Sequence, residues 1–288
     1  MNDYVFAPPE RVSVKVLETK KRFAVNRVFC VGRNYAEHAI EMGFHPNRDK
    51  PFYFTKSPSA VIASGSTIPY PESTDNFHHE IELVIAIGYG GSKILPDSAL
   101  SHIFGYACGL DMTKRDLQIS LRERGYPWCI SKDIENGAVI GSIKPVNMTG
   151  HPTKGRIWLS VNDQIRQDSN INQLMWSVPE IVSDLSKFYH LSPGDLIYSG
   201  TPSGVGAVLP GDLIQGEIEE VGSISLRIGS VGGNDHRRYY GRARHTLTAG
   251  TYSIRVDHRS GRLVSGTLYL RVLSDDDHGD RAEEASPI

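Results

Sequence analysis

Residues 76–88 read NFHHEIELVIAIG, and the placement of their side chains decides the fold. Ile81, Leu83, Ile85 and Ile87 alternate with Glu80, Glu82, Val84 and Ala86, the period-2 pattern of a β-strand. A half-buried strand normally turns Lys, Thr or Ser to its wet side. This one is expected to set two carboxylates on one face, two residues apart, beside small apolar groups.

Outward from this strand the chain continues mostly as β-structure. RVSVKVLE and RVFCVG precede it as short alternating runs, followed by PFYFTK and SAVIAS; IFGYACGLD, RIWLSVND, DLIYSG, GDLIQGEIEEVG and SISLRIG come after. Three helices interrupt them. NYAEHAIEMG predicts one, with Asn34 as N-cap and Gly43 as the left-handed C′ residue. A second runs from Thr113 to Arg124, with Thr113 and Asp116 as a capping box, Leu117 and Leu121 as its apolar stripe and Gly125 as its stop. The third opens at Ser177-Val-Pro-Glu180 and turns Ile181, Val182, Leu185 and Phe188 to one side. Many strands and few helices, not in strict alternation, predict an α+β, β-rich fold with a mixed sheet.

Three segments are expected: an N-terminal strand segment (1–25), a main β-rich domain (26–230) and a C-terminal extension (231–288). Within the extension TYSIRVD and TLYLRV predict a hairpin over 251–272, and the acidic residues 274–288 predict disorder.

The 288 residues carry 39% hydrophobic and 22% charged side chains, enough to bury a sizeable core. A net charge of −2 gives no electrostatic case for nucleic acid or an anionic membrane. No apolar run nears the ~20 residues of a membrane span. The start lacks the basic-then-apolar order of a signal peptide. Cys30, Cys108 and Cys129 are odd in number and without CxxC spacing, so neither a disulfide framework nor a zinc knuckle is indicated. A cytoplasmic protein is expected.

Strand residues two apart lie about 6.6 Å apart on one face. Glu80 and Glu82 can therefore converge on one hard cation, and oxygen ligands select magnesium, manganese or calcium over zinc. A solvent-facing acidic edge gives the same spacing. Asp111 ends an apolar strand at a helix start, a place suited to a third ligand or to an ordinary turn aspartate. His38 and Glu41, three apart on a helix, meet as a base and its orienting carboxylate or as a surface ion pair. The turn GTPSGVG lacks the Lys-Ser/Thr of a phosphate loop, which argues against nucleotide binding.

In order, VGRNYAEHAIEMG, YFTKSPSAV, HHEIELVIAIG, GYACGLDMTKRDLQ, PWCISK and GDLIYSGTPSGVG resemble the fumarylacetoacetate hydrolase family, over about Arg27 to Gly229. Within it the chain is most similar to the fumarylpyruvate hydrolases of gentisate degradation. The resemblance implies a barrel-like β fold, usually dimeric, and a Mg2+ or Mn2+ ion, with Ca2+ able to replace it in a crystal, on Glu80, Glu82 and Asp111. It implies His38 and Glu41 as the water-activating dyad and Lys132 in the active centre. It also implies a substrate site lined by Arg33, Asn34, Lys56, Arg115, Gln118 and Thr201. The expected substrate is a 2-oxo acid, an acylpyruvate cleaved at a carbon–carbon bond. Oxaloacetate decarboxylation or hydroxymuconate-type isomerisation on the same site is the alternative, and a catalytically silent scaffold the third. KSPSAV and KDIENGAVIG depart from the family pattern, which bears on substrate choice. Residues 36–50, with the polar stretch HPNRDK, are a candidate for a lid.

Overall fold

Strand Ile81–Ile87 is buried along its whole length in the computed structural model, which describes residues 4–43, 50–231, 250–257 and 263–270. Its two faces enter two different cores. Ile81, Leu83, Ile85 and Ile87 pack in the larger one, with Phe29, Leu110, Ile157, Leu159 and Ile214. Val84 and Ala86 pack in a smaller one, with Val28, Cys30, Ala107, Ala138 and Tyr198. The expected half-wet strand is therefore wrong, because the sheet is covered on both sides. Glu80 and Glu82 continue the row of Val84 and Ala86, so they are carried inside rather than to a solvated edge.

Burying an Ile or Leu side chain contributes about 1.5–3 kcal/mol. Four such side chains on one face fix the register firmly. A one-residue slip would drive Glu80 and Glu82 into the larger apolar core, at the cost of buried unpaired charge.

The strand sits near the middle of the largest sheet. Neighbours run Tyr53–Lys56, Val28–Val31, Leu196–Tyr198, Ile81–Ile87, Ile103–Asp111, Ala138–Ile140 and Val61–Ala63, with Lys144–Pro145 also against Ile103–Asp111. The strand pairs antiparallel with Leu196–Tyr198 and with Ile103–Asp111, whereas Leu196–Tyr198 pairs parallel with Val28–Val31. This mixed sheet curls into a half-barrel. A five-stranded sheet supplies Ile157, Leu159, Ile214, Ile224 and Leu226 to the larger core.

Helix Ala36–Glu41 ends on Gly43 in the left-handed region, φ +79°, as expected. Its N-cap is Tyr35, not Asn34, with no side-chain cap, because the Asn34 amide bonds elsewhere. Helix Arg115–Glu123 is capped by Lys114 without a side-chain bond, so the Thr113–Asp116 capping box is also wrong. Thr113 Oγ1 donates to the Asp111 carbonyl, and Asp116 accepts from Thr74. Ser177 and Glu180 do form the box that opens Val178–Leu185. Ile181, Val182 and Leu185 are buried, but Phe188 lies past the helix end and is exposed. Among the described residues no helix is long and apolar enough to cross a membrane.

The chain divides into two units, Met1–Gly233 and Asn234–Ile288. In the second, Gly250–Asp257 and Leu263–Leu270 pair antiparallel, Gly250 opposite Leu270. The acidic stretch 274–288 and lid positions 44–49 lie outside the described residues.

Candidate active site and metal centre

Antiparallel pairing brings the acidic residues together. Ile81 lies opposite Leu110 and Glu82 opposite Gly109, and the Asp111 N–H donates to the Glu80 carbonyl at 2.9 Å. One strand's start thus meets the other's end, and ligand oxygens of Glu80, Glu82 and Asp111 lie within 4.8 Å of one another. All three residues are buried, none more than 4% exposed.

Two glycines make room for this. A Cβ at Gly109 would lie 2.5 Å from Val84 Cγ2 and 2.7 Å from Tyr198 Cε1, pushing on the strand that carries the carboxylates. Gly200, at φ +98°, donates its N–H to Glu82 Oε2 at 2.8 Å, and a Cβ there would lie 2.7 Å from Asn34 Cβ.

Three cations face the three acidic groups. Lys132 Nζ lies 2.6 Å from Glu80 Oε2 and 2.8 Å from Asp111 Oδ2. Arg115 pairs with the other Glu80 oxygen and bonds Gln118. Lys56 Nζ lies 2.8 Å from Asp111 Oδ1, off hydrogen-bond geometry, and donates to the Met112 and Lys132 carbonyls. Burial pushes Glu80 up, but the Lys132 ammonium and Arg115 guanidinium prevail and hold it well below the usual carboxylate range. Burial likewise lowers Lys132, and Asp111 and Glu80 outweigh it and raise the ammonium.

Glu82 differs. Burial, then the charges of Asp111 and Glu80, push it well above the usual range. The donor set is all oxygen, buried, convergent and left with one destabilised carboxylate. That fits a hard divalent cation, whose charge would hold Glu82 ionised.

The dyad is formed. His38 Nδ1 lies 3.0 Å from Glu41 Oε2, and Glu41 Oε1 accepts the Gly204 N–H at 3.1 Å. Partial burial raises Glu41, but the bonds from His38 and Gly204 prevail and lower it. Held at both oxygens, the carboxylate fixes the orientation of the imidazole, with Nδ1 toward Glu41.

His38, Glu80 and Lys132 line one cleft together with Arg33, Arg115 and Gln118. Arg33 also lies over the Phe52 ring at 5.2 Å. Asn34, Lys56 and Thr201 are not on the cleft wall. The buried Asn34 donates to the Trp176 and Ser199 carbonyls and accepts from the Trp176 N–H, so it ties three segments rather than facing a ligand. Thr201 Oγ1 donates to the Ile81 carbonyl at 2.8 Å.

Sequence reasoning missed Gln167, on strand Gln164–Asn170. Its buried amide donates to Thr201 Oγ1 and the Pro202 carbonyl and accepts from the Ile81 N–H. His79 Nδ1 shares the same Gln167 oxygen, and burial pushes His79 down to about 4. Gln167→Leu strands several of these groups. The expected loss is about 2–5 kcal/mol of stability, at roughly 1–3 per unsatisfied buried group, read as a lower denaturant midpoint. An unchanged midpoint would show that the bridge carries no weight.

The family model "Fumarylacetoacetate (FAA) hydrolase C-terminal" matches residues 27–229. The chain is 52% identical over 182 residues to a fumarylpyruvate hydrolase of Ralstonia sp, covering 63% of this chain and 94% of the relative. It is 36% identical over 201 residues to the mitochondrial oxaloacetate tautomerase of Rattus norvegicus, covering 70% and 90%. The crystal structure of fumarylpyruvate hydrolase from Pseudomonas aeruginosa in complex with Mn2+ and pyruvate superposes with a TM-score of 0.77 at 50% identity, covering 79% of this chain and all of that one. With the match spanning the curled sheet and every residue of the cleft, the chain belongs to the fumarylacetoacetate hydrolase family.

Proposed function

We propose that the protein hydrolyses the carbon–carbon bond of fumarylpyruvate to give fumarate and pyruvate. The observation that carries this reading is the convergence of three buried carboxylates beside the His38–Glu41 pair. Two relatives, 52% and 50% identical to the chain, are named as fumarylpyruvate hydrolases.

A divalent ion held by Glu80, Glu82 and Asp111 would act as a Lewis acid toward the oxygens of the pyruvyl half. His38 takes a proton from water at Nε2, and Glu41 stabilises the imidazolium that forms. The hydroxide adds to the acyl carbonyl, and the bond to the adjacent methylene breaks. Its electron pair leaves with the pyruvyl half as an enolate, which a proton then converts to pyruvate; the acyl half departs as fumarate. Lys132 and Arg115, fixed before substrate arrives, add positive charge where the enolate develops.

Charge balance supports a dianionic substrate. Three buried acidic groups against Lys56, Lys132 and Arg115 leave the centre near neutral, so a bound dication would give it a surplus that two carboxylates offset.

Mg2+ or Mn2+ as the cellular ion, a homodimer, a cytoplasmic setting and a place in gentisate-type aromatic catabolism complete the proposal. The family resemblance supports them. Residues 26–230 would act as the catalytic domain, since the candidate site is assembled from residues 33–201.

The purified protein with Mn2+ is expected to bleach the enol absorbance of fumarylpyruvate with stoichiometric release of fumarate. EDTA should stop the reaction and added Mn2+ restore it. Turnover of oxaloacetate without any of fumarylpyruvate would favour the activity for which the rat relative is named.

A further inference from the structure

Resting on that function, we infer that His78 is a positioning residue, which fixes the Arg115 guanidinium at the reacting centre without touching the substrate. His78 lies in strand Phe77–His79, which pairs antiparallel with Thr113–Lys114 so that His78 stands opposite Thr113. Helix Arg115–Glu123 starts at the next residue. The Arg115 N–H donates to the Asn76 carbonyl at 2.8 Å, which holds the first helical residue against the chain entering the strand. Arg115 itself is 3% exposed, and three of its side-chain bonds leave from three different nitrogens. Nη2 reaches Glu80 Oε1, Nη1 reaches Gln118 Oε1, and Nε donates to His78 Nδ1 at 3.3 Å. Gln118 sits on the same helix and moves with Arg115. Glu80 is shared with Lys132 and belongs to the acidic centre. Of the three, His78 is the partner that holds the guanidinium from a neighbouring strand with no second claim from that centre.

An arginine Nε–H can only donate, so Nδ1 is the accepting nitrogen and the imidazole proton is on Nε2. From there His78 Nε2 donates to Asn76 Oδ1 at 2.8 Å. The Asn76 N–H donates to Thr74 Oγ1 at 3.1 Å, and Thr74 Oγ1 donates to Asp116 Oδ1 at 2.6 Å. The chain of bonds begins at Arg115 and closes on the residue beside it, so the ring is fixed from both ends. A neutral acceptor suits this place. A carboxylate against Nε would order the guanidinium equally well but offset much of its charge. The imidazole takes the N–H and leaves the positive charge for the enolate. Arg115 and Gln118 form part of the cleft wall and His78 does not, so its effect on the reaction passes through Arg115.

The test uses two variants that each keep one half of the imidazole. Asn places an oxygen near the position of Nδ1 and can accept from Arg115, whereas Gln places its amide near Nε2 and can donate to Asn76. With Mn2+ present, His78→Gln should lower kcat for fumarylpyruvate about 10- to 100-fold, the usual cost of losing an outer partner of a metal site, with KM little changed. His78→Asn should retain most of the rate. In an Arg115→Met background the two variants should differ little, because no Nε–H remains to be held. Independently of turnover, long-range proton–nitrogen NMR correlations of the full chain should show the His78 ring proton on Nε2. A merely structural role, through the Asn76 bond, leaves His78→Asn no faster than His78→Gln, and that outcome overturns the inference. So does a loss confined to KM, an equal difference between the variants with and without Arg115, or a ring proton on Nδ1. Absence of fumarylpyruvate turnover by the unmodified protein overturns the functional reading instead, before any variant is compared, and removes the inference with it.

Discussion

Glu82→Gln is expected to cut turnover by more than about 100-fold while making the ion-free protein more heat-stable. Mutations one layer outside a metal's ligands typically cost 10- to 100-fold in affinity or activity, so loss of a charged ligand costs more. The stability gain follows from the electrostatics. Glu80 and Asp111 both have lysine partners, whereas Glu82 accepts the Gly200 N–H and is raised by burial and by its two acidic neighbours. A raised folded-state pKa means that the folded protein binds more protons than the unfolded chain, from the ordinary glutamate range upward. Stability from this group therefore falls as pH rises through that window. Glutamine keeps an acceptor for Gly200 and loses the proton linkage. The advantage of the variant over the unmodified protein, measured by thermal melts in EDTA, should grow from about pH 5 to about pH 8. Saturating Mn2+ should reverse the order, because ligand binding stabilises the folded state by mass action and the variant holds the ion poorly. An equal Mn2+-dependent rise in both proteins would remove Glu82 from the ligand set.

What the sequence made legible is the strand and its acidic pair. Alternation across residues 81–87 and a carboxylate at the end of IFGYACGLD are local patterns, and the pairing that joins them needs only two adjacent antiparallel strands. The second apolar core was not legible, because Val84 and Ala86 are small and equally at home on a lightly covered face. Strand Gln164–Asn170 was missed for a different reason. Its sequence, QIRQDSN, is polar and mostly exposed, so it carries no alternation. Its one local signal was Asn162-Asp163, both at positive φ, the residues of a tight hairpin turn. Gln167 went unseen with it. Both rejected caps, Asn34 and the Thr113–Asp116 box, fail because tertiary partners took the side chains: Trp176 and Ser199 for Asn34, Thr74 and the Asp111 carbonyl for the others. Capping propensity contributes about 1 kcal/mol, and bonds that tie distant segments outweigh it.

His38→Ala should lower the hydrolytic rate by about 100- to 10,000-fold, the usual share of general base catalysis, and leave Mn2+ affinity nearly intact. The separation follows from geometry: the imidazole bonds Glu41, while Lys132, Arg115 and Lys56 are the partners of the acidic centre. Calorimetric Mn2+ titration and the rate of fumarate release read the two properties independently. Glu41→Gln should fall between the unmodified enzyme and His38→Ala, because an amide can still accept from Nδ1 but no longer stabilises the imidazolium. The pH profile adds a check. Glu41 is lowered by its bonds to His38 and Gly204, so it stays ionised below the ordinary glutamate range. Glu41 protonation therefore does not limit activity within the ordinary glutamate range. A full rate in His38→Ala would mean that water is activated elsewhere in the cleft. A full rate in Glu41→Gln would mean that the carboxylate is an ion-pair partner on a helix and not part of a dyad.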